Sequence, residues 1–164
     1  MNNFKFNIPT DIRFGKDQIE CLSEELSKYG SKVLLTYGGG SIKRTGLYDK
    51  VKSLLSSFEV YELSGIEPNP KLSSVREGAK ICKEKGIDVI LAVGGGSTID
   101  ASKHIACAAC YENDPWDLMM DRSKIKGALP IAVVLTICAT GSEMNSGGVI
   151  TNEETKEKLE INGK

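Results

Sequence analysis

Apolar residues fall along this chain in two alternating rhythms. Residues 32–37, 89–93 and 130–135 are short, nearly unbroken apolar runs. The run at 89–93 is continuous and β-branched, as in a strand buried on both faces of a parallel sheet. Phe58, Val60 and Leu63 mark a further strand. Between these runs apolar residues return at helical spacing: Ile19, Leu22 and Leu26; Leu47, Val51, Leu54 and Leu55; Leu72, Val75, Ala79 and Cys82. Gly30 and Gly86 stand where helix stops belong and Thr45 where a cap belongs, while Pro68 and Pro70 interrupt regular structure. A helix is predicted over 98–111, a short helical excursion from Asp114 through Met120, and a loop over 136–148. A closing hairpin pairs 147–151 with 158–161. Residues 4–14 alternate loosely and are broken by Pro9, which predicts a short N-terminal β-hairpin of edge strands.

Strands alternating with helices imply right-handed βαβ units and a doubly wound α/β fold around a parallel sheet. One domain over residues 1–164 is expected. Two strands run directly into glycines: Gly38, Gly39, Gly40 and Ser41 after the first, and Gly94, Gly95, Gly96 and Ser97 after the third. Both turns therefore belong on one sheet edge, where ligands of open α/β sheets sit. Ser97 and Asp100 have capping-box spacing, so a helix is predicted to start at once. A strand, a glycine turn and a helix N-terminus together make an anion site suited to a pyrophosphate. The same residues also suit a tight βα turn, and the 38–41 turn alone suits a flexible one. Neither turn spells G-x-G-x-x-G or a Walker loop.

Asp100 has two readings, a helix cap or an acceptor for cofactor hydroxyls. Lys103, one turn later, reads as surface or sheet edge rather than ligand. The segment 136–145, Thr-Ile-Cys-Ala-Thr-Gly-Ser-Glu-Met-Asn, gathers small hydrogen-bonding side chains after a strand. It can line a polar ligand, and Thr140 with Glu143 can equally cap a helix. Cys107 and Cys110 fall mid to late on a helix, where no dipole favours a thiolate, and read as core or surface residues. His104 is the only histidine, so neither a His-rich metal site nor a Ser-His-Asp arrangement is expected from this chain.

Composition narrows the setting. With 40% hydrophobic and 26% charged residues and a net charge of −1, nothing favours nucleic acid or anionic membrane. No run has membrane-spanning length, and the N-terminus lacks a signal-peptide core. Five cysteines without a disulfide framework fit a reducing cytoplasm.

Phe14-Gly15, the Gly-Gly-Gly-Ser turn at 38–41, Pro68-Asn69-Pro70, Gly-Gly-Gly-Ser-x-x-Asp-x-x-Lys at 94–103, the Thr-Gly-Ser-Glu block at 140–143, Val149-Ile150-Thr151 and Lys158 follow in order. In this order they resemble the iron-containing, metal-dependent alcohol dehydrogenases, along nearly the whole chain. Asp114-Pro115-Trp116-Asp117 and the first turn look most like the butanol dehydrogenase branch. The resemblance implies a Rossmann-like cofactor half of a longer two-domain enzyme that interconverts primary alcohols and aldehydes by hydride transfer. It implies that Gly95, Gly96 and Ser97 hold the pyrophosphate of NADP or NAD. Gly38, Gly39, Gly40, Ser41 and Asn69 would surround the adenosine ribose. Thr136 and Thr140 would flank the cofactor, with Asp100, Asn145 and Lys158 nearer the nicotinamide. The first turn lacks the acid that would repel a 2′-phosphate, and Lys43 and Arg44 stand behind it, so NADP is permitted alongside NAD. The helical domain that carries iron or zinc would lie beyond Lys164, leaving no catalytic residue or metal ligand here. An isolated chain that binds cofactor without turnover, and an exposed apolar face favouring a homo-oligomer, are expected. A stand-alone nucleotide-binding module and a polyol or glycerol dehydrogenase are the competing readings.

Overall fold

The computed structural model describes residues 8–162. A four-stranded parallel sheet in the order β2-β1-β3-β4 is built from β1 (Lys32–Tyr37), β2 (Glu59–Leu63), β3 (Val89–Gly94) and β4 (Ile131–Leu135). The apolar runs take the inner positions: every residue of β3 is buried, and so is β1 after Lys32. Register places Val33 beside Val60 on one side and Val89 on the other. Because side chains alternate along a strand, the central pair feeds two cores. Leu34 and Ile90 face α4 (Leu72–Lys85), α5 (Gly96–Ala109) and α6 (Trp116–Met120). Val33, Leu35, Val89 and Leu91 face α1 (Leu22–Ser27), α2 (Ser41–Arg44) and α3 (Leu47–Leu54). The sheet is therefore doubly wound.

The chain leaves β1 for β2 on one side, then crosses back to β3 on the other, so strand order reverses between β1 and β3. Loops diverge at such a reversal and leave a crevice at the carboxyl ends of the strands. Both glycine turns follow the carboxyl ends of the two strands at this reversal. The helical layer on the α5 side is close-packed: a Cβ on Gly78 of α4 would lie 2.5 Å from Ile105 Cδ1 of α5. An antiparallel hairpin, β5 (Gly147–Asn152) with β6 (Glu157–Asn162), covers the same layer. Gly148 lets it approach, since a Cβ there would meet His104 Cε1 at 2.9 Å. Among the described residues, no helix is long and apolar enough to cross a membrane.

Several local expectations change. Residues 8–14 form no strand, and the rest of the proposed N-terminal hairpin lies outside the described residues. Pro9 denies that stretch a backbone donor. Thr45 does not cap α3: its hydroxyl donates to Ile42 O at 3.1 Å at the end of α2, and Gly46 takes the N-cap. Gly30 lies beyond the α1 cap at Lys28 and serves Asp88 instead. The Asp88 carboxylate accepts the N–H groups of Ser31 and Lys32 at 2.8 and 2.9 Å, closing the amino end of β1.

Candidate functional site

The second glycine turn is the tightest place on the carboxyl edge. β3 ends at Gly94, and α5 begins at Gly96 with Gly95 at its N-cap in extended conformation. The helix starts before Ser97, so Ser97 and Asp100 form no capping box. Gly95 has no side chain with which to cap, which leaves the positive end of a fourteen-residue helix available to an anion. A Cβ on Gly94 would lie 2.5 Å from Thr98 Oγ1, one on Gly95 2.7 Å from Ile137 Cγ2, and one on Gly96 3.0 Å from Thr140 Oγ1. These glycines are steric necessities: they bring the backbone against the loop after β4. That loop is anchored where Thr136 donates its N–H to Gly94 O at 3.0 Å.

Asp100 is turned away from the helix end. One carboxylate oxygen accepts the Ser142 hydroxyl at 2.6 Å and the other accepts the Val149 N–H at 3.1 Å. Lys103 corrects its surface reading. Its ammonium is partly buried and donates to Ser142 Oγ, Asn145 Oδ1 and Gly147 O at 2.9, 3.0 and 2.5 Å. Desolvation lowers its pKa, against the opposing pull of Asp100 and Glu143. Asn145 also accepts the Gly147 N–H at 2.9 Å and donates to Gly141 O at 3.1 Å. Thr140 and Glu143 form no capping box, because Gly141 occupies the N-cap of the short turn Ser142–Met144. Beneath this cluster His104 is buried, with Nδ1 bonded to Asp100 O at 2.7 Å and Nε2 without a partner. Burial pushes its pKa down to about 4, against the Asp100 carbonyl and carboxylate. Since a carbonyl only accepts, Nδ1 carries the proton and the ring is neutral.

The first turn is built differently. Gly40 caps α2 at φ 103°, in the left-handed region. A Cβ on Gly39 or Gly40 would meet nothing within 4 Å, and Ser41 is exposed. Gly38 is the member that touches the other turn's neighbourhood, with Ile66 O at 3.2 Å and Thr98 Oγ1 at 4.0 Å from its would-be Cβ. Behind the turn, Lys43 Nζ sits 5.3 Å from the Tyr37 ring centroid and 4.8 Å from that of Tyr48. Glu62, at the carboxyl end of β2, accepts from Tyr37, Tyr48 and Lys52 at 2.9, 3.0 and 2.9 Å. Burial works to raise its pKa, but these hydrogen bonds hold it below the ordinary value. Asn69, itself left-handed at φ 57°, accepts from Lys158 Nζ at 2.7 Å.

The structure thus brings Gly95, Gly96, Asp100, Thr136, Thr140 and Asn145 around one junction, with Ser97 in the first turn of α5. It joins Asn69 to Lys158 as a separate pair and sets the 38–41 turn across the switch point. Sequence reasoning missed Lys103 and Ser142. The available signal for Lys103 was its position three residues after Asp100, on the same helix face.

This geometry defines a Rossmann-like α/β domain whose glycine-rich strand-to-helix junctions stand together at the carboxyl edge of the sheet. The chain belongs to the iron-containing alcohol dehydrogenase family, whose model matches residues 9–164. It is 58% identical over 161 residues to NADH-dependent butanol dehydrogenase B of Clostridium acetobutylicum, covering 97% of this chain and 41% of that protein. It is 47% identical over 161 residues to the NADPH-dependent aldehyde reductase YqhD of Escherichia coli, covering 96% of this chain and 41% of the reductase. The crystal structure of NADH-dependent butanol dehydrogenase A from Thermotoga maritima superposes with a TM-score of 0.95 at 48% identity, over 100% of this chain and 42% of that one. The chain therefore spans about two fifths of the length of these relatives.

The iron that gives the family its name does not fit the residues at hand. Among the described residues, no group of three or more His, Cys, Asp or Glu side chains could hold a metal ion. His104 is sealed in the core, and Cys107 and Cys110 are free thiols. Burial raises the Cys107 pKa, which disfavours a ligating thiolate.

Proposed function

We propose that this chain is the dinucleotide-binding part of an NAD(P)-dependent alcohol dehydrogenase of the butanol dehydrogenase type. The carrying observation is the 94–97 turn. Its three would-be Cβ positions are filled by Thr98, Ile137 and Thr140, at the open N-terminus of α5, on the switch-point edge. In this reading the pyrophosphate sits on Gly95, Gly96 and Ser97. The adenosine ribose lies toward Gly38, Gly39, Gly40 and Ser41, while Asn69, bonded to Lys158 at 2.7 Å, stands with that lysine and not at the opposite end of the cofactor. The other nucleotide lies toward Thr136, Thr140, Asp100, Asn145 and Lys158. Strand order supports this arrangement, because the β1 turn and the β4 loop flank the β3 turn on opposite sides.

The relatives' names include both an NADH-dependent and an NADPH-dependent enzyme, and we assign this site both dinucleotides. Glu62 is fully engaged by Tyr37, Tyr48 and Lys52, so it does not present a free acid to a ribose 2′-phosphate. The reaction assigned is hydride transfer between the carbinol carbon of a small primary alcohol and the nicotinamide, giving the aldehyde. Metal and substrate contacts belong to the remaining length that the relatives possess, so the chain by itself binds cofactor without turnover. A homo-oligomer in the cytoplasm is the setting we assign.

Calorimetric titration with NADH and NADPH tests the reading. Saturable binding is expected, and Ser97→Trp should weaken it by at least about tenfold by filling the cradle. A folded sample that binds neither dinucleotide would remove the proposal.

A further inference from the structure

We infer that Cys107 and Cys110 are a redox-modification site, a dithiol at the end of α5 that a peroxide closes to a reversible disulfide. Cys110 is oxidised first and Cys107 resolves it. The inference is independent of the dinucleotide reading, because the pair stands at the opposite end of α5 from the glycine turn.

Two cysteines three residues apart share a helix face, but in a regular α-helix their Cβ atoms stand about 5–6 Å apart. A disulfide needs about 3.5–4.5 Å, and in mid-helix the hydrogen-bond ladder resists that closure. At the end of α5 the ladder has already given way. Cys110 is the C-cap, at φ −96° and ψ 12°. It donates its N–H to Cys107 O at 3.1 Å, and Tyr111 donates to Ala108 O at 3.1 Å. These bonds have 3₁₀ spacing, which eclipses the side chains at i and i+3. No regular element follows until Trp116, so the backbone after Cys110 can adjust.

Exposure grades the sulfurs. Cys110 is exposed, Cys107 is half-buried against the α4–α5 core, and Cys82 of α4 is buried. The loop that passes Cys110 brings no side chain over it at Gly127, where a Cβ would lie 3.9 Å from Cys110 Sγ. Peroxide therefore reaches Cys110 first. The Cys110 thiolate attacks one peroxide oxygen: the S–O bond forms, the O–O bond breaks, and hydroxide leaves with the thiol proton as water. The Cys107 sulfur then attacks the Cys110 sulfur: the S–S bond forms, the S–O bond breaks, and hydroxide leaves with the Cys107 proton. Two thiols and one peroxide become one disulfide and two waters, a two-electron oxidation. Burial holds the Cys107 thiol above its usual pKa and pushes that of Cys82 up to about 12, so neither reacts ahead of Cys110. No helix N-terminus activates the pair, so the device is proximity: Cys107 captures the sulfenic acid before it advances to the irreversible sulfinic acid. Cys138 is exposed too, but its loop holds no second cysteine.

The test exposes the complete gene product that carries this chain to hydrogen peroxide, blocks the remaining thiols with iodoacetamide, and reads the tryptic peptides by mass spectrometry. The peptide His104–Arg122 holds both cysteines. It should emerge lighter by two hydrogens with both alkylation sites lost together, and dithiothreitol should restore both. Cys138 should instead gain oxygen. In Cys107→Ala, Cys110 should pass to the sulfinic acid, which dithiothreitol does not reverse. The wild-type measurement decides the matter should that variant not fold. Wild-type Cys110 advancing to sulfinic acid alongside Cys138, or joining Cys82 in a cross-linked peptide, would overturn the inference. So would both thiols remaining open to iodoacetamide while Cys138 is oxidised.

Discussion

The same tetrapeptide, Gly-Gly-Gly-Ser, occurs at the carboxyl ends of β1 and β3, and the fold uses it in two ways. After β3 the glycines are crowded: each would-be Cβ has a neighbour at 3.0 Å or less. Two of the three neighbours come from the loop after β4. Glycine is needed there because there is no room. After β1, Gly39 and Gly40 face open space, and glycine is needed at Gly40 because φ is 103°. The helices that follow differ accordingly, fourteen residues for α5 against four for α2. The long helix is docked on both the sheet and a hairpin, and in the proposed function it carries the anion site. Identical local sequence therefore does not imply identical local physics.

The contrast can be broken from its deepest point outward. The largest effect expected is acid sensitivity beneath the second turn. The folded domain keeps His104 neutral with a pKa of about 4, against an ordinary 6.5. An unfolded chain takes up that proton first, so the contribution is complete above pH 6.5 and is lost as pH falls toward 4. The gap corresponds to about 3 kcal/mol. Urea unfolding at neutral pH and near pH 4 should show this loss in the wild type, with a shallower acid limb in His104→Leu. Identical limbs would show that His104 is not the group responsible.

Next comes Gly94→Ala, which drives a methyl into Thr98 and should destabilise by about 1–3 kcal/mol, read from the denaturation midpoint. Gly40→Ala forces an L-residue into the left-handed region and should cost about 1 kcal/mol. Gly39→Ala, in open space, should stay within about 0.5 kcal/mol in stability. Were Gly39→Ala as costly as Gly94→Ala, the distinction between the two turns would be wrong.

Much of the fold was legible along the chain because burial on two faces leaves an unmistakable mark. The runs at 32–37 and 89–93 are the inner strands, and the stripe of Leu72, Val75, Ala79 and Cys82 is buried on α4. The closing hairpin and the Asp114 excursion also stand close to where the pattern puts them. Capping was read less well. Ser97, Thr45 and Thr140 have suitable side chains at suitable spacings, yet glycines take all three N-caps. Capping propensity describes what a residue offers locally, whereas the helix start is also fixed by what the preceding strand and neighbouring loop leave room for.

The sequence by itself determined the alternation of strand and helix, the placement of glycines after two strands, and the motif order that carries the family. These follow from periodicity and from residue identity, which are local. Only the tertiary structure decided that Lys103 points inward, that Asp100 holds Ser142 and Val149 instead of capping a helix, and that Asn69 meets Lys158 across 89 positions. Those contacts join segments far apart in the chain, and a lysine or an asparagine has the same local preferences whether its partner is water or a loop forty residues on. Partnership of that kind is set by which elements the sheet order brings together.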